Sequence, residues 1–177
     1  SNFHDMSHLA ELRLETDWPE AKDNLAFGKP YSLNKQPNYP LCKNPDRDAK
    51  KLTDGNMSKS RDPIWFDKEN TLGICGDNVE VTMDLGKVEP IQKVLFHTAG
   101  GVSDVTPPRS VKVYVSKDGK EFSLAGEEKP EATGQTEYRT LTITVPLKKA
   151  EGQYVRIRFD GGYYFFCDEL AVVGNKQ

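Results

Sequence analysis

Beyond Asn78 the chain settles into a period of two. Val79, Val81, Met83 and Leu85 alternate with Glu80, Thr82 and Asp84. The rhythm returns in Val111, Val113 and Val115 against Lys112, Tyr114 and Ser116, and in Leu141, Ile143 and Val145 against Thr140, Thr142 and Thr144. It returns again in Val155, Ile157 and Phe159 against Arg156, Arg158 and Asp160. Between Ile91 and Thr98 both sides are partly apolar, and Leu170 to Val173 closes the series. Successive side chains of a strand point to opposite faces, so alternation assigns one set to a core and the other to water.

Turn chemistry punctuates these runs. Lys117-Asp118-Gly119-Lys120 is a hairpin signal, because Asp-Gly tolerates the positive φ of tight turns. Leu85-Gly86-Lys87 and Val105 to Pro108 mark further strand ends. No segment carries a convincing helical period. Short strands separated by turns predict an all-β, antiparallel β-sandwich of about eight strands. From Asn24 to Lys51 the prolines Pro30, Pro37, Pro40 and Pro45 remove ladder donors and exclude long central strands. Long ordered loops of this kind are where function concentrates. Residues 1–23 fit neither period and read as an extension or linker, leaving 24–177 as one sandwich domain.

Composition then narrows the function classes. Charged residues are 29%, hydrophobic residues 36% and the net charge is −3, which describes a globular chain. The basic residues are scattered, so neither a nucleic-acid footprint nor an anionic-lipid patch is indicated. No apolar run approaches the roughly 20 residues of a membrane span. Ser1 and Asn2 resemble an expression remnant, so the start of the chain says nothing about an export leader. Cys42, Cys75 and Cys167 are widely spaced and form no metal motif; they allow one disulfide and a free thiol, or three packed thiols.

A set of local motifs, in order, resembles the discoidin family, the coagulation factor V/VIII C-type group that includes the family 32 carbohydrate-binding modules. Asn24-Leu25-Ala26-Phe27-Gly28-Lys29-Pro30 is similar to its opening. Leu52-Thr53-Asp54-Gly55-Asn56 is similar to its calcium loop, and Val81 to Gly86 followed by Val88-Glu89-Pro90-Ile91 to its entry into the sheet. Val113 to Phe122, Tyr154 to Ile157 and Glu169 to Gly174 are similar to its central hairpin and last two strands. The resemblance implies a galactose-binding-like jelly roll without catalytic activity, carrying a structural Ca2+ site. Asp54 suits calcium on its own chemistry, as a carboxylate beside a glycine that permits a sharp turn. By resemblance, Glu169 gives a second carboxylate and Lys51, Asn56, Lys59 and Asp168 give backbone carbonyls. The family usually has Thr or Ser at the place of Lys59; Ser58 or Ser60 stands ready to compensate.

The ligand surface is expected in loops at one end of the sandwich. Sugars stack on aromatic rings while a few polar groups fix their hydroxyls. Two aromatic clusters offer themselves: Trp65-Phe66, and Tyr163-Tyr164-Phe165-Phe166, which cannot all face one core. His97 and Arg109 flank the loop Gly100 to Asp104 and are candidate hydroxyl partners, with Tyr39 and Arg61 as lesser ones. Each of these residues has an alternative role in the core or as plain surface. For catalysis the chain offers little: Asp168 and Glu169 are adjacent on a strand and diverge, and His4 and His8 lack a third ligand. The expectation is a glycan-binding accessory module of a larger secreted, periplasmic or cell-surface protein, next to neighbouring domains, with no nucleic acid and no membrane insertion. A protein-interaction or spacer domain is the second reading.

Overall fold

The structure is a computed structural model, and it describes residues 18–130 and 136–175. Eight strands form β1 (Tyr31–Leu33), β2 (Leu72–Cys75), β3 (Val79–Gly100), β4 (Ser110–Ser116), β5 (Ser123–Glu128), β6 (Arg139–Asp160), β7 (Tyr164–Cys167) and β8 (Glu169–Gly174). All pairings are antiparallel. The larger sheet runs β1-β3-β6-β4-β5 with β8 also on β3, and β2 pairs β7 separately.

The sandwich arises because two strands serve both layers. β3 and β6 are each 22 residues long and pair from Val79↔Phe159 to Gly100↔Arg139, with register shifts between Asp84 and Glu89 and between Ile91 and Lys93. At the bend, Gly86 takes φ 87. The first half of β3 lies between β1 and β6, and its second half between β8 and β6. The inward sets Val79/Val81/Met83 and Val155/Ile157/Phe159 thereby join Phe96, Val145, Leu170 and Val172 in one buried cluster. The Phe96 and Phe159 rings, from opposite halves, are 4.7 Å apart. Runs that read in sequence as separate strands on either side of Leu85-Gly86-Lys87 are thus one bent strand. The alternation itself is kept, since 79–85 reads buried at every second residue.

Around the sandwich the early loops are pinned rather than slack. Lys51 is fully buried; its ammonium donates to the carbonyls of Cys42 (2.8 Å) and Thr71 (2.7 Å) and lies 2.7 Å from the Asp48 carboxylate. A buried ammonium is tolerated only when so compensated. All three cysteines are free thiols. Burial pushes the Cys42 thiol up to about 12 and raises that of Cys167 well above its ordinary value. At the start, Asn24 accepts from the N–H groups of Ala26 and Val172 (both 3.0 Å), tying the opening motif to β8. Trp18 stacks edge-on against His97, with ring centroids 6.1 Å apart. The rest of the proposed extension, with His4 and His8, lies outside the described residues.

Candidate functional site

Three loops meet at the end of the sandwich where β3 begins and β6 ends. Asp77 organises them: its Oδ1 accepts the N–H of Asn78 (2.7 Å) and of Gly161 (2.8 Å). These backbone donors, Asn78 first and Gly161 next, hold its carboxyl below the usual range. Gly76 donates to the Tyr163 carbonyl at 2.9 Å, closing the loop 161–163 against the loop 76–78. Gly161 adopts φ 86, and a Cβ there would sit 2.7 Å from Arg109 Cβ and 2.8 Å from its Cγ. Only glycine lets the Arg109 stem pack onto this turn.

On that rim Tyr163 is the exposed aromatic, at 73% of its surface. Its ring stands edge-on to Tyr164 at 4.9 Å, and Tyr164 stacks on Phe166 at 5.6 Å and abuts Tyr39 at 5.9 Å. An exposed ring on such a stack is held in place without being covered. Arg109, like Tyr163 expected at the ligand surface, thus packs its stem on Gly161, two residues before Tyr163.

The four consecutive aromatics divide by strand alternation, because 164–167 is β7 rather than loop. Phe165 faces the main core, 5.9 Å from Phe96 and 4.7 Å from Phe159. Phe166 faces the other side, where Ile64, Trp65, Ala99 and Val105 form a second cluster. Two expected platform residues are therefore corrected. Trp65 is 3% exposed, with its ring 5.3 Å from Phe166 and 5.6 Å from Tyr138, and Phe165 is 5% exposed. Neither can offer a face to a sugar, because burying these large apolar rings is worth more than exposing them. Their neighbour Phe66 is half-exposed at 49%. His97 is also placed elsewhere: its Nδ1 is 2.6 Å from Asp168 Oδ1, under Trp18 and beside Glu169 on β8.

The expected metal residues converge in part. Leu170 donates to the Leu52 carbonyl (2.8 Å), Gly55 to Glu169 Oε1 (3.0 Å) and Ser58 to Asp168 Oδ2 (2.9 Å), so the loop after Leu52 is stitched to the start of β8. Glu169 is fully buried and its Oε2 has no hydrogen-bond partner. The Asp54 carboxyl lies within hydrogen-bonding reach of the Glu169 side chain once one of the two carries a proton. Burial, then Asp54 and Asp168, raise the Glu169 carboxyl to about 10. Lys51 points its side chain away to Asp48, leaving only its carbonyl for a ligand, and Lys59 is exposed. Among the described residues no three His, Cys, Asp or Glu side chains form a metal cluster, so a cation here would depend on backbone oxygens. Arg47, which no motif of the sequence marks, ion-pairs with Asp54 Oδ2.

Comparison with known proteins places this geometry. The F5/8 type C domain family model matches residues 35–170, and the chain belongs to that family. Its fold is that of solved sugar-binding modules. The fifth family 32 module of a Clostridium perfringens protein, CpGH89CBM32-5, solved with GalNAc-beta-1,3-galactose, is 16% identical with TM-score 0.59, over 81% of this chain and 94% of that one. The lectin domain of lectinolysin, complexed with Lewis B antigen, is 18% identical with TM-score 0.61, over 86% and 97%. Chitosan-binding module 1 of a chitosanase/glucanase from Paenibacillus sp. IK-5 is 16% identical with TM-score 0.56, over 85% and 98%. No curated protein matches the chain. These structural relatives are binding modules and lectin domains rather than catalytic ones, as the discoidin resemblance implies.

Proposed function

We propose that this chain is a non-catalytic carbohydrate-binding module that takes a glycan on the rim built by Tyr163 and Arg109. The observation that carries this reading is the Tyr163 ring, exposed yet braced on Tyr164, beside an arginine stem seated on Gly161. The ring supplies a C–H stacking face and the guanidinium supplies directional donors for sugar hydroxyls. Three structural relatives were named or solved as sugar binders, which supports a glycan as the partner. An open rim buries little area, so affinity in the millimolar to micromolar range, about −4 to −8 kcal/mol, is expected.

Calcium belongs to the same proposal as a structural ion. Asp54 and Glu169 would supply carboxylates, and Lys51, Asn56, Lys59 and Asp168 backbone carbonyls. The buried Glu169 carboxyl set against the Asp54 carboxyl is the feature that fits a cation, whose charge would take the place of a shared proton. The ion would supply charge that neutralises this pair and ties the early loop to the last strand. The setting is a larger exported protein, in which neighbouring domains do the glycan chemistry. No described helix is long and apolar enough to cross a membrane.

The test is a glycan array followed by calorimetry on the strongest hit. Tyr163→Ala should remove on the order of 1–3 kcal/mol, enough to abolish detectable binding, with melting unchanged. Full affinity in a folded Tyr163→Ala protein, and again in Arg109→Ala, would place the sugar elsewhere.

A further inference from the structure

Below the rim, between β1 and the loop that follows it, lies an open cleft of about 490 Å³ that the rim does not use. This is within the roughly 300–1,000 Å³ of small-molecule sites. Its apolar wall is Tyr31, Leu33, Pro37 and Pro45, and its charged lining is Lys35 and Lys43. Proline and tyrosine present the flat C–H and ring surfaces against which a pyranose packs.

We propose that this cleft is a second sugar subsite that selects an anionic sugar, one bearing a carboxylate or sulfate, continuing from the sugar on the rim. The inference rests on the rim reading for the identity of the ligand as a glycan. Charge selects the anion. Lys43 forms no ion pair with a described residue, and Lys35 has only a longer-range attraction to the Asp77 carboxylate. The carboxylate that also lines the cleft, Asp48, is already engaged by the Lys51 ammonium at 2.7 Å and by the Asn44 N–H at 3.1 Å. It does not compensate Lys43, which is exposed. Lys35 donates to the Asp77 carbonyl, and an ammonium has three donors, so two remain for a ligand oxygen.

Continuity with the rim comes from Lys35. Its Nζ lies 3.6 Å from where a Gly76 Cβ would stand, and Gly76 holds the Tyr163 carbonyl. One residue therefore borders both the rim loops and the cleft. A chain of at least two sugars, neutral at Tyr163 and anionic at Lys35 and Lys43, satisfies both surfaces; a single neutral sugar leaves the Lys43 ammonium and the remaining Lys35 donors without an anion.

The experiment is a titration of the 15N-labelled chain with methyl glucuronide, glucose 6-sulfate and methyl glucoside at constant ionic strength. The anionic sugars should shift the amides of Leu33, Lys35, Gln36, Lys43 and Ala49, while methyl glucoside leaves them unmoved. A response to only one of the two anions supports the subsite and identifies its preferred group. Lys43→Gln should weaken the anionic sugar about fivefold, the upper range of an exposed charge pair. Tyr163→Ala should leave the cleft response intact, which separates failure of the rim from failure of the cleft. The proposal is overturned if neither anion moves these amides, if methyl glucoside moves them equally, or if both Lys43→Gln and Lys35→Gln bind as the parent does.

Discussion

Glu169 offers a sharp test of the metal reading through pH. Without a cation its folded-state carboxyl is raised to about 10, against 4.5 for the free side chain. The sign follows directly. Below 4.5 both states hold the proton and stability is unaffected. Between 4.5 and 10 the folded chain keeps a proton that the unfolded chain has lost, so stability falls as pH rises. The slope is about 1.4 kcal/mol per pH unit, and from pH 5.5 to 7.5 the metal-free protein should lose about 2.7 kcal/mol through this group. Urea unfolding in excess chelator at the two pH values measures it, and Glu169→Gln, which cannot titrate, removes contributions from every other group by difference. Calcium requires the deprotonated carboxylate, so saturating calcium should remove the slope, and apparent calcium affinity should rise toward tenfold per pH unit over this window. The reasoning is refuted if Glu169→Gln shows the same pH slope as the parent. It is refuted equally if calcium leaves the stability of the parent unchanged at pH 7.5.

Further outcomes follow from the packing. Phe165→Ala should cost about 3–5 kcal/mol in urea unfolding because it empties the contact with Phe96 and Phe159, and a variant as stable as the parent would contradict its placement. Lys51→Met should cost about 3–5 kcal/mol by stranding the Asp48 carboxylate, with a loss under 1 kcal/mol counting against the buried pair. Gly161→Ala, forced into φ 86 and against Arg109, should cost about 1–3 kcal/mol and weaken glycan binding; unchanged calorimetry would detach Arg109 from the rim. A thiol reagent should label Cys75 in the native chain well before Cys42 and Cys167, whose burial suppresses the thiolate; equal rates would refute that.

The strands that pair across a clean in-out face were legible, because period two is a local signal. Val111 to Val115 and Val155 to Phe159 occupy β4 and β6 with the faces that the alternation assigned. What could not be read was which runs fuse, since the bend at Gly86 depends on the other layer. The short β1, β2 and β7 carry too few residues for a period, so Tyr164 to Cys167 read as a loop. That error moved Phe165 to the wrong environment. Trp65 misled for a different reason: a loop tryptophan is exposed or buried according to what folds over it, and Tyr138, which covers it, is 73 positions further on. The turn Gly76-Asp77-Asn78 carries a local signal, as Gly-Asp-Asn marks a sharp turn whose carboxylate can accept backbone N–H groups. Arg47 on Asp54 had no local signal.

The bridge between Asn24 and Val173 has a mechanical consequence. Asn24 and the last described residues lie side by side, Gly174 lying opposite Ile91 and Asn175 donating to the Pro90 carbonyl at 3.3 Å, next to the bend of β3, while Trp18 reaches along the sandwich to His97. The rim sits at the two far ends of that same strand, by Asn78 and Gly100. The Asn24–Val173 bridge and the Tyr163 rim therefore lie at opposite ends of the sandwich. A pull applied at Asn175 would therefore load β8 and the bend of β3 before it reached the turn that carries Tyr163.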